Sequence, residues 1–203
     1  MKITDITPQV HNKGRMSIFV DGKYAFSLDE IDCIKLKIGD VLSKDELQRL
    51  NVESNLSKAK SKALDYLSRS PHTKFDIISK LKAKGYDEQI AELAIDELEE
   101  MRLIDDREYA ALYVELAKEK CYGPSKIRYE LAHHGVPTHI VSEIMESFEG
   151  TGADELAQLL QQKYRGCDFG DIKVKQRAVR YLASRGFDFD KINEAIRHIQ
   201  DGE

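Results

Sequence analysis

Apolar positions recur along this chain with two different periods. Over roughly the first 50 residues they alternate or cluster in short runs, and from Ser57 onward they return every three or four positions. Ser17-Ile18-Phe19-Val20 and Lys23–Leu28 are β-type runs on either side of Asp21-Gly22, two residues that tolerate positive φ. The spacing predicts a hairpin closed by a two-residue turn. Lys2–Ile6 adds a short strand. Ile31 and Ile34 stand at helical spacing within Asp29–Leu36, and Gly39-Asp40 reads as a turn. Ser43 with Glu46 forms a capping box that opens a short helix through Leu50. A small β-rich domain over residues 1–52 is expected, joined to the remainder near Asn51–Asn55.

The remainder is helical and repeats itself. Residues 57–103 predict a helix from Ser57 to Arg69 with Ala59, Ala63, Tyr66 and Leu67 inward. Ser70-Pro71 breaks it. A second helix carries Phe75, Ile78 and Leu81 to Gly85, and a third carries Ile90, Ala94 and Leu98. Residues 104–149 show the same order: Tyr109, Leu112, Tyr113 and Leu116, then a break at Gly123-Pro124. Ile127 and Leu131 follow up to Gly135, then Ile140, Ile144 and Phe148. Residues 153–200 show it again, with Leu156, Leu159, Leu160 and Tyr164, then Val174, Ala178, Tyr181 and Leu182 to Gly186. Ile192, Ala195, Ile196 and Ile199 close the unit. Glu149–Gly152 reads as a flexible joint.

Each Leu-x-x-x-Gly closes a helix, and the glycines Gly85, Gly135 and Gly186 lie 50 and 51 residues apart. The third unit reads as holding one extra residue after its glycine, in Phe187-Asp188-Phe189-Asp190. A fixed period of this kind marks stacked supersecondary units, which work through an extended surface rather than one pocket. The glycines supply the left-handed conformation that ends a helix. Before each stands a cation or potential cation, Lys84, His134 or Arg185, beside its own helix's negative end, a contact worth about 0.3–1 kcal/mol.

Composition narrows the class. The chain has 203 residues, 33% of them charged, with 8% aromatics and no Trp. High charge suits a helical protein with much exposed surface. No apolar run approaches the ~20 residues of a membrane span, and Met1–Asp5 is not read as a signal peptide, so a cytoplasmic protein is expected. Cys33, Cys121 and Cys167 have neither a disulfide-framework nor a zinc spacing, so no metal is expected. The net charge of −5 lacks the basic balance of a protein whose main partner is bare DNA. Nucleic acid is then a secondary ligand met by a local patch, or is already coated by another protein.

One stretch is more specific. It runs Lys84-Gly85-Tyr86-Asp87, then Leu103-Ile104-Asp105-Asp106-Arg107-Glu108-Tyr109-Ala110 with Tyr113. Tyr122-Gly123-Pro124-Ser125-Lys126-Ile127 follows, then Leu131 and Gly135-Val136. This stretch resembles the RecX family of bacterial regulatory proteins, modulators of the RecA recombinase. Tyr181–Phe187 looks like the family's C-terminal helical motif, and the resemblance spans about Ser57 to Ile199. It implies a mainly α fold: three tandem three-helix repeats in an elongated, crescent-like array, here preceded by a small β-rich N-terminal domain. It also implies binding in the groove of the RecA–DNA filament and inhibition of RecA's ATPase and strand exchange.

The motif residues also have plain physical roles. Asp105 or Asp106 can cap the following helix, and Leu103 and Ile104 can pack as a bridge between units. Tyr109 and Tyr113 fall on an apolar face, as core or for base stacking. For partner contact the leading candidates are Lys173, Arg177 and Arg180 at i, i+4, i+7, with Lys175 and Arg185 adjacent. The stripe reads either as a solvated face or as a contact to phosphate or to an acidic protein surface. Lys126 with Arg128, and Lys80 with Lys84, are further candidates. His133-His134 is not a metal pair, because adjacent helical residues point apart. No phosphate loop, nucleophile elbow or metalloprotease motif occurs. A monomeric, non-enzymatic regulator without cofactor is expected, acting on the RecA filament, with DNA bound weakly or within it. The alternative is a helical protein that acts directly on single- or double-stranded DNA.

Overall fold

A computed structural model describes residues 1–10 and 14–201. The chain divides into two compact units, Met1–Ile104 and the residues from Asp105 onward.

The first unit opens with an antiparallel sheet in the order β1 (Ile3–Pro8), β2 (Arg15–Val20), β3 (Lys23–Asp29). Asp21 and Gly22 both take positive φ, 49° and 78°, the backbone a two-residue hairpin turn demands. Alternation turns Ile3, Ile18, Val20, Phe26 and Leu28 into one small core. The expected helix after β3 is a single turn, α1 (Glu30–Cys33), and its phase differs from expectation: Cys33 faces the core while Ile31 and Ile34 are exposed.

Helix α2 (Lys44–Leu67) contradicts the expected break at residues 51–55. The capping box at its start is present, with the Glu46 carboxylate accepting from the Ser43 N–H at 2.8 Å and Ser43 Oγ accepting from the Glu46 N–H at 3.2 Å. The Ser43 N–H, and then the Ser43 hydroxyl, which donates to the same carboxylate at 2.8 Å, hold the Glu46 carboxyl below its usual pKa. Ser54 and Ser57, at and just beyond the expected junction, serve a buried polar seam instead. Arg15, nearly inaccessible, donates to Asp29 at 3.1 Å, to Ser57 Oγ at 2.8 Å and to the Ser27 carbonyl at 2.9 Å. Ser54 Oγ donates to the same carbonyl and accepts from the Ser27 N–H at 3.3 Å. One helix therefore packs on the sheet with its first half and forms the first helix of the following bundle with its second. A buried guanidinium needs such partners, and here they stitch the two parts together.

Three bundles of three helices follow, each around its own core. The first packs the end of α2 with α3 (Lys74–Ala83) and α4 (Glu88–Glu100). In the second unit, α5 (Asp106–Glu119), α6 (Pro124–His133) and α7 (Thr138–Glu146) form one bundle. Helices α8 (Ala153–Lys163), α9 (Ile172–Ser184) and α10 (Phe189–Asp201) form the other.

The buried faces differ from the expected ones by about one residue. Ile77 and Leu81 are buried in α3 while Phe75 is exposed; Ala110, Val114 and Ala117 are buried in α5 while Leu112 and Leu116 are exposed. The apolar arc on these helices is wider than the contact. The smaller residues sit at its centre, where helix backbones come close, and the larger ones at its margin. The same shift removes the extra residue expected after Gly186. Asp87 caps α4 two residues after Gly85, and Asp188 accepts from the Lys191 N–H two residues after Gly186. Ala91, Ala94, Ile95 and Leu98 then correspond, at equal distances from the glycine, to Ile192, Ala195, Ile196 and Ile199. Ile90, one residue before that face, is only half-buried.

Candidate functional site

Gly85, Gly135 and Gly186 end their helices with φ of 88°, 72° and 87°. The helix-stop geometry includes an N–H of the next residue returning to the leucine carbonyl, as Tyr86 to Leu81, Val136 to Leu131 and Phe187 to Leu182. Asp105 caps α5, accepting from the N–H groups of Arg107 at 2.7 Å and Glu108 at 3.3 Å. Asp106 is buried at the start of the same helix. Ile104 closes the first bundle's core, whereas Leu103 stands half exposed. Tyr109 and Tyr113 lie against the second bundle's core with near-parallel rings 6.5 Å apart. Burial, and then the Glu130 carboxylate, push the Tyr113 phenol up to about 12. That is a core tyrosine's environment. His134 lies against Tyr109 and His133 stacks on Tyr129, and among the described residues no cluster of side chains suits a metal ion.

The candidate cations fall into two classes. In the first bundle five cations around the candidates Lys80 and Lys84 are paired with carboxylates. Lys60 pairs with Glu97 at 2.5 Å, Lys62 and Arg69 with Asp65 at 2.7 and 2.8 Å, Lys74 with Glu99 at 2.9 Å, and Lys82 with Glu88. Lys80 lies over the Tyr66 ring, 5.4 Å from its centroid. Lys84 is exposed beside a cavity of about 480 Å³ lined also by Lys62, Tyr86 and Asp87.

Helix α9 is the opposite case. Lys173, Arg177 and Arg180 are exposed and Lys175 is half-buried. Among the described residues none of the four has a carboxylate within 4 Å. Arg177 and Arg180 turn their Nε groups back to the carbonyls of Lys173 and Gln176, at 3.4 and 3.2 Å. The terminal nitrogens of each planar fork are left to solvent, the arrangement that suits phosphate or carboxylate. Alongside lies an apolar hollow of about 420 Å³ lined by Ile172, Lys175, Gln176, Val179 and Arg180.

Arg185, by contrast, is engaged. Its guanidinium donates to the Lys120 carbonyl and, at 3.3 Å, to the Cys121 carbonyl, so it complements the C-terminus of α5 rather than that of its own helix. It also lies over Tyr181 and Tyr122, 4.7 and 5.7 Å from their centroids. Lys126 covers Tyr122 at 4.3 Å and Lys163 covers Tyr181 at 4.4 Å. Arg128 is exposed. Lys163 was invisible to spacing alone. The recurrence of a tyrosine four residues before a cation, Tyr122/Lys126 and Tyr181/Arg185, was the signal that could have flagged this ladder.

Gly123 and Pro124 belong to the same place. Pro124 is at the first position of α6, where its missing N–H costs nothing. The Gly123 N–H donates to the Arg185 carbonyl at 2.7 Å and the Ser125 N–H to the Gly186 carbonyl at 3.2 Å. A Cβ on Gly123 would lie 2.4 Å from the Gly186 oxygen, and one on Gly186 would lie 2.3 Å from the Lys126 nitrogen. The Tyr-Gly-Pro turn is where two bundles touch backbone to backbone.

Comparison with known proteins agrees along the whole chain. Four family models match in order: the regulatory protein RecX N-terminal domain over residues 1–43, and the first, second and third three-helix domains of RecX over 59–98, 105–145 and 153–196. A regulatory protein RecX of Clostridium botulinum is 32% identical over 202 residues, covering 97% of this chain and 95% of that one. One of Bacillus licheniformis is also 32% identical, over 96% of this chain and 76% of its own. A crystal structure of a regulatory protein RecX superposes with a TM-score of 0.71 at 31% identity, covering 98% of both chains. From the sheet and three bundles to these relatives, the observations converge: the chain belongs to the RecX family of regulatory proteins.

Proposed function

We propose that this protein is a non-enzymatic regulator that binds the RecA–DNA filament in the bacterial cytoplasm and slows RecA's ATPase and strand exchange. It would act during recombination and the DNA-damage response. The regulatory name of its relatives supports the choice of target. The observation that carries the reading is the α9 face, where Lys173, Arg177 and Arg180 lack carboxylate partners among the described residues of a chain with net charge −5. An acidic protein that keeps one basic face unneutralised has a use for it against a polyanionic or acidic surface. We take residues 1–52, 57–103, 104–149 and 153–200 as its working parts. Several modest patches on linked parts give an avidity that no single patch supplies.

Titration into a RecA ATPase assay with single-stranded DNA tests this reading. Hydrolysis is expected to slow at amounts well below one regulator per RecA; an unchanged rate contradicts it. The free guanidinium forks of Arg177 and Arg180 also favour a second reading, direct binding to DNA. That reading requires tight binding to bare DNA with a steep salt dependence, and affinity that stays weak at low salt excludes it.

A further inference from the structure

Lys126, Tyr122, Arg185, Tyr181 and Lys163 alternate cation and ring from the second bundle into the third. Such a row resembles the aromatic and basic track of a single-strand-binding surface, and Arg185 stands among the cations that a filament-binding face would use. The geometry speaks against both uses. Tyr122 and Tyr181 each have two cations against their rings, so neither presents an open ring for a base to stack on. One terminal nitrogen of Arg185, Nη1, is committed to two main-chain carbonyls, and the guanidinium lies over Tyr181 and Tyr122, which holds the side chain along the junction rather than out toward a partner.

Those carbonyls explain what the fork does. Helix α5 ends at Glu119 with Lys120 as its C-cap, and Cys121 takes φ of 50°, a left-handed conformation that a residue with a side chain keeps when its surroundings enforce it. The chain there turns at once into Tyr122-Gly123-Pro124, and the Gly123 and Ser125 N–H groups bond to the carbonyls of Arg185 and Gly186. The end of α9 thus gives two carbonyls to the start of α6, while its Arg185 gives guanidinium N–H donors to the end of α5. Donors and acceptors run in both directions across one junction, and the two glycines allow the backbones to approach that closely.

We infer that Arg185 is a positioning residue: it locks the second and third three-helix domains into one rigid body and thereby fixes the α9 basic face relative to Lys126 and Arg128 on α6. The consequence for partner binding rests on the filament-binding reading above; the lock itself does not. Lysine keeps the charge of Arg185 but, as a compact ammonium, cannot lie as a flat group over Tyr181 and Tyr122 while one terminal nitrogen reaches both carbonyls. Charge alone and clamping therefore give different results.

The test measures amide exchange by NMR on the full chain without partner, for wild type, Arg185→Lys and Arg185→Gln, together with binding of each to RecA–single-stranded DNA filaments. In both variants the Gly123 and Ser125 amides are expected to exchange at least tenfold faster. The Val136 and Phe187 amides, which bond within single bundles, should keep wild-type rates. Filament affinity is expected to fall by a similar factor in both variants. Wild-type protection of Gly123 and Ser125 in both variants overturns the lock. Lost affinity with unchanged exchange would instead make Arg185 a direct partner contact. Full retention of protection and affinity by Arg185→Lys would reduce it to a charge. If wild type itself fails to bind filaments while the exchange result holds, the lock stands and the filament reading falls.

Discussion

Helices α3 and α9 hold equivalent places in the first and third bundles, and each ends in leucine, three residues and glycine. They treat their charges in opposite ways. On α3, Lys74 and Lys82 are paired with Glu99 and Glu88, and Lys80 lies over Tyr66. On α9, Lys173, Lys175, Arg177 and Arg180 have no carboxylate within reach among the described residues. The glycines differ as well: a Cβ on Gly85 would meet open space, whereas one on Gly186 would collide with the backbone of Lys126. The repeat supplies a scaffold, and each copy spends its surface differently. The first pairs Lys74 and Lys82 internally; the third keeps one face charged and commits its glycine corner to a neighbouring bundle.

The largest expected effect comes from the glycines. Gly186→Ala adds overpacking to left-handed strain and is expected to cost about 2–4 kcal/mol, against about 1–2 kcal/mol for Gly85→Ala, which carries the strain alone. Urea unfolding of the two variants checks the difference, and equal losses would break the comparison. Arg15→Met comes next. It removes a buried guanidinium that donates to Asp29, Ser57 and the Ser27 carbonyl, at an expected cost of about 1–3 kcal/mol. That loss, read from thermal melts, would confirm that α2 carries the sheet and the first bundle as one unit.

Much of this fold could be read from apolar spacing. The hairpin at Asp21-Gly22, the helix stops at the three glycines and the cap at Asp105 are local devices, written in neighbouring residues. What local reading lost was set at long range. The β-rich domain reads as joined to the repeats near residues 51–55, yet one helix runs through them and Ser54 is buried, exchanging hydrogen bonds with Ser27 on a strand far away in sequence. Phe75, Leu112 and Leu116 drew the helix phase toward themselves by size, while the close-packed seam went to Ile77, Ala110 and Val114. Arg185 looked like a cap for its own helix. Its partners at Lys120 and Cys121 are more than sixty residues away, and no spacing rule points to them. The α9 stripe was legible; the absence of carboxylate partners across the tertiary structure was not.

Smaller effects sharpen the same contrast. Binding of wild type to filaments should weaken with salt, and the slope is expected to fall by about one for each α9 cation that meets a phosphate. Replacing Lys74 and Lys82 by Ala should leave that slope nearly unchanged, because their charges are already met. The smallest effect concerns Tyr113, raised to about 12 by burial and then by Glu130. The folded state keeps this proton where the unfolded state, with a phenol near 10, loses it. Its contribution to stability is therefore present below about pH 10 and is lost as pH rises toward about 12. Ultraviolet titration of Tyr113→Phe against wild type should remove a phenol that titrates toward about pH 12.

The most direct measurement is inhibition of RecA's DNA-dependent ATPase by the protein with Lys173, Arg177 and Arg180 all replaced by Ala, set beside the Lys74/Lys82 double replacement. The account predicts that the α9 variant needs at least tenfold more protein for half-inhibition, with unchanged helicity by circular dichroism, while the α3 variant inhibits like wild type. Equal inhibition by both variants would contradict it and leave the α9 stripe as solvated surface.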